Sequence, residues 1–313
     1  TTYQYDVLSR VTSIAYGDGN TVTYTYDQGD HGLGRLTQIT DGAGSIQYTY
    51  DLHGRVLSET RTINNVAYVT SYSYGSAGRL AGITYPSGRV VTYTRNAAGR
   101  ISQIGTAKDG VAQTLVSQVT YHPFGGVKAF INGANVAVTR SIDLDGRTTG
   151  YTLASSMQAV GYDAASRINS IADTVSAAGS QTYGYDNLDR LISYSGSGGS
   201  QSLGYDAGGN RTSQTIGTAV NTYSYSGSAN RITQISGGSN NKAYQYDTNG
   251  SITNNGNSQF NYDARGRLIS ANTAQGIAQY RINALGQRVQ KTVAGTTTVF
   301  HYDHSGRLIG ESP

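Results

Sequence analysis

The sequence predicts an all-β protein, a long ribbon of antiparallel β-hairpins. Three observations predict it. A unit of the form Tyr-x-Tyr-Asp-x-x-Gly-Arg, followed by an aliphatic residue, recurs along the whole chain. The composition is rich in Tyr (26) and Gly (41), residues that suit strands and tight turns, and poor in charge at 13%, against roughly 25% in typical domains. Helix signals are almost absent between the units.

The unit is clearest at Tyr48-Thr49-Tyr50-Asp51-Leu52-His53-Gly54-Arg55-Val56. Close copies carry Tyr183, Tyr185, Asp186 and Arg190; Tyr262, Asp263, Gly266 and Arg267; and Tyr302, Asp303, Gly306 and Arg307. The second motif Tyr, or its substitute, falls at 5, 26, 50, 74, 95, 121, 142, 162, 185, 205, 225, 246, 262, 282 and 302. The fifteen units have a mean period of about 21 residues, with single steps from 16 to 26. That spread excludes a solenoid with a fixed rung and suits hairpins of variable length.

Each part of the unit has a local reason. Tyr-x-Tyr puts two rings on one face of a strand, because side chains alternate with period two. Asp at the turn start can bond the backbone two residues on. Gly at the fourth turn position takes positive φ without a Cβ clash. Asp-x-x-Gly therefore reads as a type I turn closed by a Gly bulge. The residues after Arg, such as Val11-Thr12-Ser13-Ile14, form the returning strand. Val11 and Ile14 are three apart, which requires either two partly covered faces or a bulge that shifts the parity.

Ten units keep the Asp. Thirteen are read as keeping the Arg, at 10, 35, 55, 79, 100, 147, 167, 190, 211, 231, 267, 288 and 307, with Gly126 and Ser251 in its place elsewhere. This Arg can stack on a Tyr ring of an adjacent strand or pair with the turn Asp. Repeat-to-repeat packing explains such a ladder better than ligand recognition does. The segments His122-Pro123-Phe124-Gly125 and Arg140-Ser141-Ile142-Asp143 depart from the pattern, as degeneration or a change of ribbon direction.

Fifteen hairpins give about thirty strands, and open twisted sheets rarely exceed about ten without curling or splitting. The ribbon must spiral, close as a barrel, or break into blades. Blades would require odd and even units to differ, and they do not, which favours one wound ribbon. The run Ser195-Gly196-Ser197-Gly198-Gly199-Ser200 reads as a flexible loop inside the array, because the repeat phase continues through it. Residues 1–313 thus read as a single array, a piece of a longer protein that begins inside a repeat.

Searches for chemistry return little. Cys is absent, which excludes thiolate metal sites and Cys nucleophiles, and no nucleophile elbow or phosphate loop occurs. His301, Asp303 and His304 cluster, but Asp303 is a turn Asp. Asp143 and Asp145 lie two apart, and Asp143 is again a turn Asp. The net charge of +4 is spread as single Arg residues and forms no nucleic-acid stripe. No apolar run approaches the 18 residues of a spanning helix. The expectation is no enzyme, no cofactor, no metal, no nucleic acid and no membrane span.

The unit resembles the Rhs/YD repeat of bacterial Rhs polymorphic toxins, insecticidal toxin complexes and animal teneurins, and the resemblance covers the entire chain. The long turn Tyr26-Asp27-Gln28-Gly29-Asp30-His31-Gly32-Leu33-Gly34-Arg35-Leu36 resembles an expanded bacterial variant. Tyr280-Arg281-Ile282-Asn283-Ala284-Leu285-Gly286-Gln287-Arg288-Val289, then Phe300 to Glu311, resembles the last repeats before the conserved core. The resemblance implies a ribbon spiralling into a hollow shell, or part of one, that encloses a C-terminal toxin polypeptide of the same protein before delivery. It implies flanking shell segments and a secretion apparatus as partners, and a secreted or cell-surface bacterial location. A second reading is a cell-surface adhesion or carbohydrate-binding array, in which exposed Tyr rings stack on sugars. Self-cleavage in such toxins needs an Asp-Pro-rich segment, and this chain has no Asp-Pro pair.

Overall fold

The computed structural model describes every residue except 124, 155, 228, 239 and 240. Strand follows strand from Thr2–Tyr5 to Leu308–Ser312, and among the described residues the helical content is one short 3₁₀ turn at Ala177–Gly179. The strands form a 23-stranded sheet and an eight-stranded sheet. Consecutive strands pair antiparallel, as Gly44–Tyr50 does with Val56–Ile63 and Gln181–Tyr185 with Leu191–Gly196.

A recurring bulge gives the hairpins their parity. Tyr5 pairs with Val11, and the register then shifts so that Gln4 pairs with Ser13 and Tyr3 with Ile14. Thr12 is the extra residue. Val11 and Ile14 therefore lie opposite Tyr5 and Tyr3, whose rings stack on one face at 6.4 Å. The three-residue spacing is thus a bulge, the device that lets two residues face one across a strand pair. The same shift falls at Thr49/Tyr50, Gly184/Tyr185 and His301/Tyr302.

The turns follow Asp-x-x-Gly. In the clearest unit Gly54 donates its N–H to the Asp51 carbonyl at 2.8 Å, and Asp51 donates to the Arg55 carbonyl at 2.9 Å. Gly54 has φ of +76°, and Ser9, Ser166 and Asp189 take the same left-handed conformation where Gly is replaced. The backbone pattern persists where Asp is lost, with Gly75, Asn96, His122 and Asn283 in its place. Phe124 lies outside the described residues.

Two sequence expectations are corrected. Ser195–Ser200 is not a flexible loop: Leu191–Gly196 and Gly199–Tyr205 are strands paired up to Gly196 and Gly199, leaving a two-residue turn. Arg211 and Arg288 do not occupy the motif Arg position. The residues that close their turns are Asn210, bonded to Asp206, and Gln287, bonded to Asn283. Arg231 closes a turn that is one residue longer, accepting the Ser226 N–H at 2.8 Å.

The chain divides into two compact units. The first joins Thr1–Tyr93 and Thr106–Ala112 to Tyr246–Pro313; the second comprises Thr94–Gly105 and Gln113–Gln245. The first unit has a layered core. Ala43 and Ile63 pack with Val289 and Val299, all nearly inaccessible to solvent. A second cluster of Val22, Ile39 and Ile46 is covered by Tyr16, Tyr24, Tyr48 and Ala284. Hairpins far apart in sequence thus share one core, and burial of their facing aliphatic side chains drives that contact.

Candidate functional site

Among the described residues, the repeated turn is a constellation of charged side chains that recurs from hairpin to hairpin. Asp51 Oδ1 accepts the N–H groups of His53 and Arg55, each at 2.9 Å, and Oδ2 accepts Arg55 Nε at 2.6 Å. Burial pushes the Asp51 carboxyl up, but these hydrogen bonds outweigh it and bring it down to about 2. Asp186 repeats the arrangement with Leu188 and Arg190, and Asp263 with Arg265 and Arg267. Asp303 accepts the N–H groups of Ser305 and Arg307 at 2.9 Å.

With Nε held by its own turn, each guanidinium extends to the next. Arg55 lies over Tyr74 with 4.4 Å to the ring centroid, and Arg190 lies over Tyr205 with 4.8 Å. Arg10 over Tyr26, Arg147 over Tyr162 and Arg167 over Tyr185 repeat this geometry, and Arg100 lies over Tyr121 although its turn has Asn96 for Asp and its Nε has no hydrogen-bond partner among the described residues. The Nη groups then bond the next turn: Arg190 to the Asp206 carbonyl at 3.0 Å, Arg267 to the Asn283 carbonyl at 2.7 Å, and Arg10 to both carboxylate oxygens of Asp27. The second Tyr completes the link. Tyr74 donates its hydroxyl to the Val56 carbonyl, Tyr185 to Ile168, Tyr205 to Leu191, Tyr262 to Ile252 and Tyr302 to Arg288. Tyr50 does the same to Leu36.

The first motif Tyr has a different task. Tyr48 packs on the Val22, Ile39 and Ile46 cluster, and burial raises its hydroxyl pKa well above the usual phenol value. Tyr183 lies 5.8 Å from the ring of Tyr194 and donates its hydroxyl to Gln181. The displaced Arg residues find this row instead. Arg211 sits over Tyr223 at 4.3 Å and Arg288 over Phe300 at 4.4 Å, both first-position rings. Arg211 pairs with Tyr205 and Arg288 with Ile282 across their hairpins, so each guanidinium starts from the returning strand, one residue past the turn, and meets the other aromatic row.

Gly54 shows how closely the repeats approach. A Cβ there would lie 2.1 Å from Arg35 Nη2, since Arg35 reaches across this turn toward Tyr50.

Sequence reasoning missed the contacts between distant hairpins of the first unit. Glu59 is fully buried and ion-pairs with Arg61, which bonds Gln287 and lies 5.6 Å from the Tyr302 ring centroid. Tyr72 accepts the His304 N–H at 2.8 Å, and the Tyr68 and His301 rings lie 4.6 Å apart. His301 Nε2 meets Ser312 Oγ at 2.9 Å. The only hint was that Glu is so scarce: Glu59 and Glu311 are the whole complement. Among the described residues no group of three His, Asp or Glu is placed to hold a metal, and no helix is long and apolar enough to cross a membrane. Asp143 receives the Asp145 and Arg147 N–H groups and the Arg147 Nε, so its carboxylate is committed to the turn.

A tandem array of hairpins, linked side by side through Tyr, Arg and Asp, defines a β-sheet repeat protein. A family model described as Teneurin YD-shell matches residues 1–122 and 132–309, and the chain belongs to that family. No curated protein matches it in sequence. Its fold is similar to part of a solved Tc holotoxin pore from Photorhabdus luminescens containing TccC3, at a TM-score of 0.77 and 17% identity over 96% of this chain. It is also similar to part of TcdB2–TccC3, at 0.64 and 16% over 98%, and to part of TcdB2–TccC3–Cdc42 at the same values. In each case the chain spans 20% of the length of the matched protein.

Proposed function

We propose that residues 1–313 form one array that serves as a wall segment of a larger β-sheet shell, enclosing a toxin polypeptide of the same full-length protein until delivery. The observation that carries this reading is the guanidinium that engages two successive repeats at once. Arg190 binds Asp186 in its own turn, the Asp206 carbonyl in the next, and the Tyr205 ring between them. Tyr48, Tyr50, Asp51, Gly54 and Arg55, and their counterparts at 183–190, 262–267 and 302–307, act here as mortar between hairpins and not as a site for turnover. Every candidate acid of the turn is spent on hydrogen bonds inside the fold, which supports a wall without catalysis. Membership of the YD-shell family and fold similarity to part of TcdB2–TccC3 support the enclosure. On this reading the protein is secreted or displayed by a bacterium.

The test is protection. In the full-length protein, the enclosed polypeptide should resist a soluble protease that digests the same polypeptide when expressed alone. Combined Arg55→Ala and Arg190→Ala should expose it. Equal digestion inside and outside the wild-type protein would overturn the enclosure.

A further inference from the structure

Each hairpin has two ends, its Asp-x-x-Gly turn and the outer turn at the opposite end. In the first unit the two kinds of end meet. The turn at 263–266 seats against neighbouring outer turns at 16–20 and 41–44. Ala264 donates its N–H to Asp18 Oδ2 at 3.3 Å, and Arg265 lies over the Tyr16 ring with 4.4 Å to the centroid. The turn at 283–286 repeats the contact. Ala284 donates its N–H to Asp41 Oδ2 and packs on the Val22, Ile39 and Ile46 cluster, while Arg281 bonds the Gly42 carbonyl at 2.6 Å. In the third turn the His304 N–H bonds the Tyr72 hydroxyl at 2.8 Å. The donor is always the residue after the motif Asp, or after Asn283 in its place. Its N–H is free because the motif carboxylate takes the N–H groups further on, as Asp263 takes those of Arg265 and Arg267. The acceptors are prepared too: Asp18 Oδ1 and Asp41 Oδ1 hold their own turns through Asn20 and Ala43, leaving Oδ2 for the seated turn.

The hairpins that supply these seated turns have outer turns of their own, at 254–259 and 273–276. Between them lies a cleft of about 310 Å³, lined by Asn254, Asn257, Gln259, Asn272 and Thr273. Its place in the ribbon corresponds to the seat of 263–266, since Thr273 pairs with Gly276 as Asp41 pairs with Gly44. Among the described residues, those lining it come from these two outer turns alone. Asn254 Oδ1 takes the Gly256 N–H at 2.7 Å and Thr273 Oγ1 takes the Gln275 N–H at 3.2 Å. Each of these oxygens has a second lone pair for another donor.

Resting on the shell reading, we propose that this cleft seats an Asp-x-x-Gly turn from another winding of the same polypeptide, outside residues 1–313. The outer edge that carries it belongs to the very hairpins whose opposite edge is already seated on 16–20 and 41–44, so the new contact continues an existing one. The chain spans 20% of the length of the matched toxin proteins, and on the shell reading further hairpins of the same polypeptide are at hand. A second copy fits less well. Turn-on-outer-turn contacts are heterologous, and between copies they run on as an open filament. The chemistry also selects the occupant. Asp18 and Asp41 line the occupied seat together with Arg265 and Arg281, whereas no residue lining the open cleft is charged. An unpaired charge in such a contact is costly. The seated turn therefore carries small, uncharged residues at the positions of Ala264 and Arg265.

The experiment places the photo-crosslinker benzoylphenylalanine at Asn257 or, separately, at Asn272 of the full-length protein, and maps the irradiated product by mass spectrometry. The same crosslinker at Asn20, which lines the occupied seat, is the control and should capture residues 263–267. Asn257 and Asn272 should both capture one Asp-x-x-Gly turn outside residues 1–313, within the same polypeptide and at a yield comparable to the control. Either position decides alone if the other variant fails to fold. Capture of a second copy, seen as a crosslinked dimer on a denaturing gel, overturns the proposal. So does capture of the enclosed toxin polypeptide, or no capture beside a working control. A control that misses residues 263–267 overturns it as well, because the contact it extends is then absent. Protease protection is read separately: capture of the expected turn with an unprotected toxin supports the seat and counts against the enclosure alone.

Discussion

Arg190 lies over the ring of Tyr205, 4.8 Å from its centroid, while its Nε is held at 2.7 Å by Asp186 in its own turn. One side chain thereby ties two repeats. Arg190→Ala should destabilise the protein by roughly 1–3 kcal/mol, the range of most damaging single changes. Arg190→Lys should recover only part of this, because an ammonium cannot hold Asp186, the Asp206 carbonyl and the ring together. Thermal unfolding checks both; a melting point unchanged in Arg190→Ala would end the packing role.

The two aromatic rows lead to a gain-of-stability test. Asn210 occupies the motif Arg position and bonds Asp206 Oδ2 at 2.9 Å, while Arg211 is displaced onto Tyr223. Asn210→Arg should place a guanidinium over Tyr225, where the regular units have theirs. The expected gain is about 0.5–1 kcal/mol from the new cation–π contact. A loss of stability on denaturant unfolding would show that the position no longer accepts the repeat geometry.

Much of this organisation was legible in the sequence, and the reasons are local. Asp51 and Gly54 carry turn chemistry that acts over four residues, and Tyr48 and Tyr50 carry a period-two pattern, so strands and turns could be placed directly. The displacement of Arg211 and Arg288 was not legible from counting Arg residues. It becomes so only when Asn210 and Gln287 are aligned to the fourth residue after Asp206 and Asn283. The two-residue outer turns were also missed, although Asn64-Asn65, with φ of +52° and +64°, is a favourable pair for one. Contacts such as Arg61 with Gln287 and Asp41 with Ala284 join residues more than 200 positions apart. No local rule encodes them, because they depend on which hairpin faces meet in the folded unit.

Gly54 and Gly266 separate two costs. Both have positive φ, +76° and +71°, so Ala at either pays the left-handed penalty of roughly 1–2 kcal/mol. A Cβ at Gly266 meets no atom within 4 Å, whereas one at Gly54 displaces the Arg35 guanidinium. Gly54→Ala should therefore cost more than Gly266→Ala, by about 0.5–1 kcal/mol for the lost Arg35 contact with Tyr50. Equal melting points for the two variants would refute the close approach.

Acid should unfold the protein in steps whose signs differ. The carboxyls of Asp51 and Asp186 titrate below their usual 3.8, so their turns contribute stability above that pH, lost as pH falls toward about 2 for Asp51. His301 acts earlier. Burial, and then the nearby Arg61, depress its imidazole below the usual 6.5, so the unfolded chain takes up the proton first. Stability must therefore decline as pH drops below about 6.5. Glu59 works the other way. Burial raises its carboxyl above the usual 4.5, against the attraction of Arg61, so the folded protein binds the proton first. Stability then rises as pH falls from that raised value toward 4.5. His301→Gln should flatten the decline below about pH 6.5, and Glu59→Gln should remove the rise toward pH 4.5. Melting temperatures measured across this range decide the matter. A His301→Gln profile parallel to wild type would mean that His301 titrates as it does in water, and that the contact between Tyr68 and His301 does not bury it.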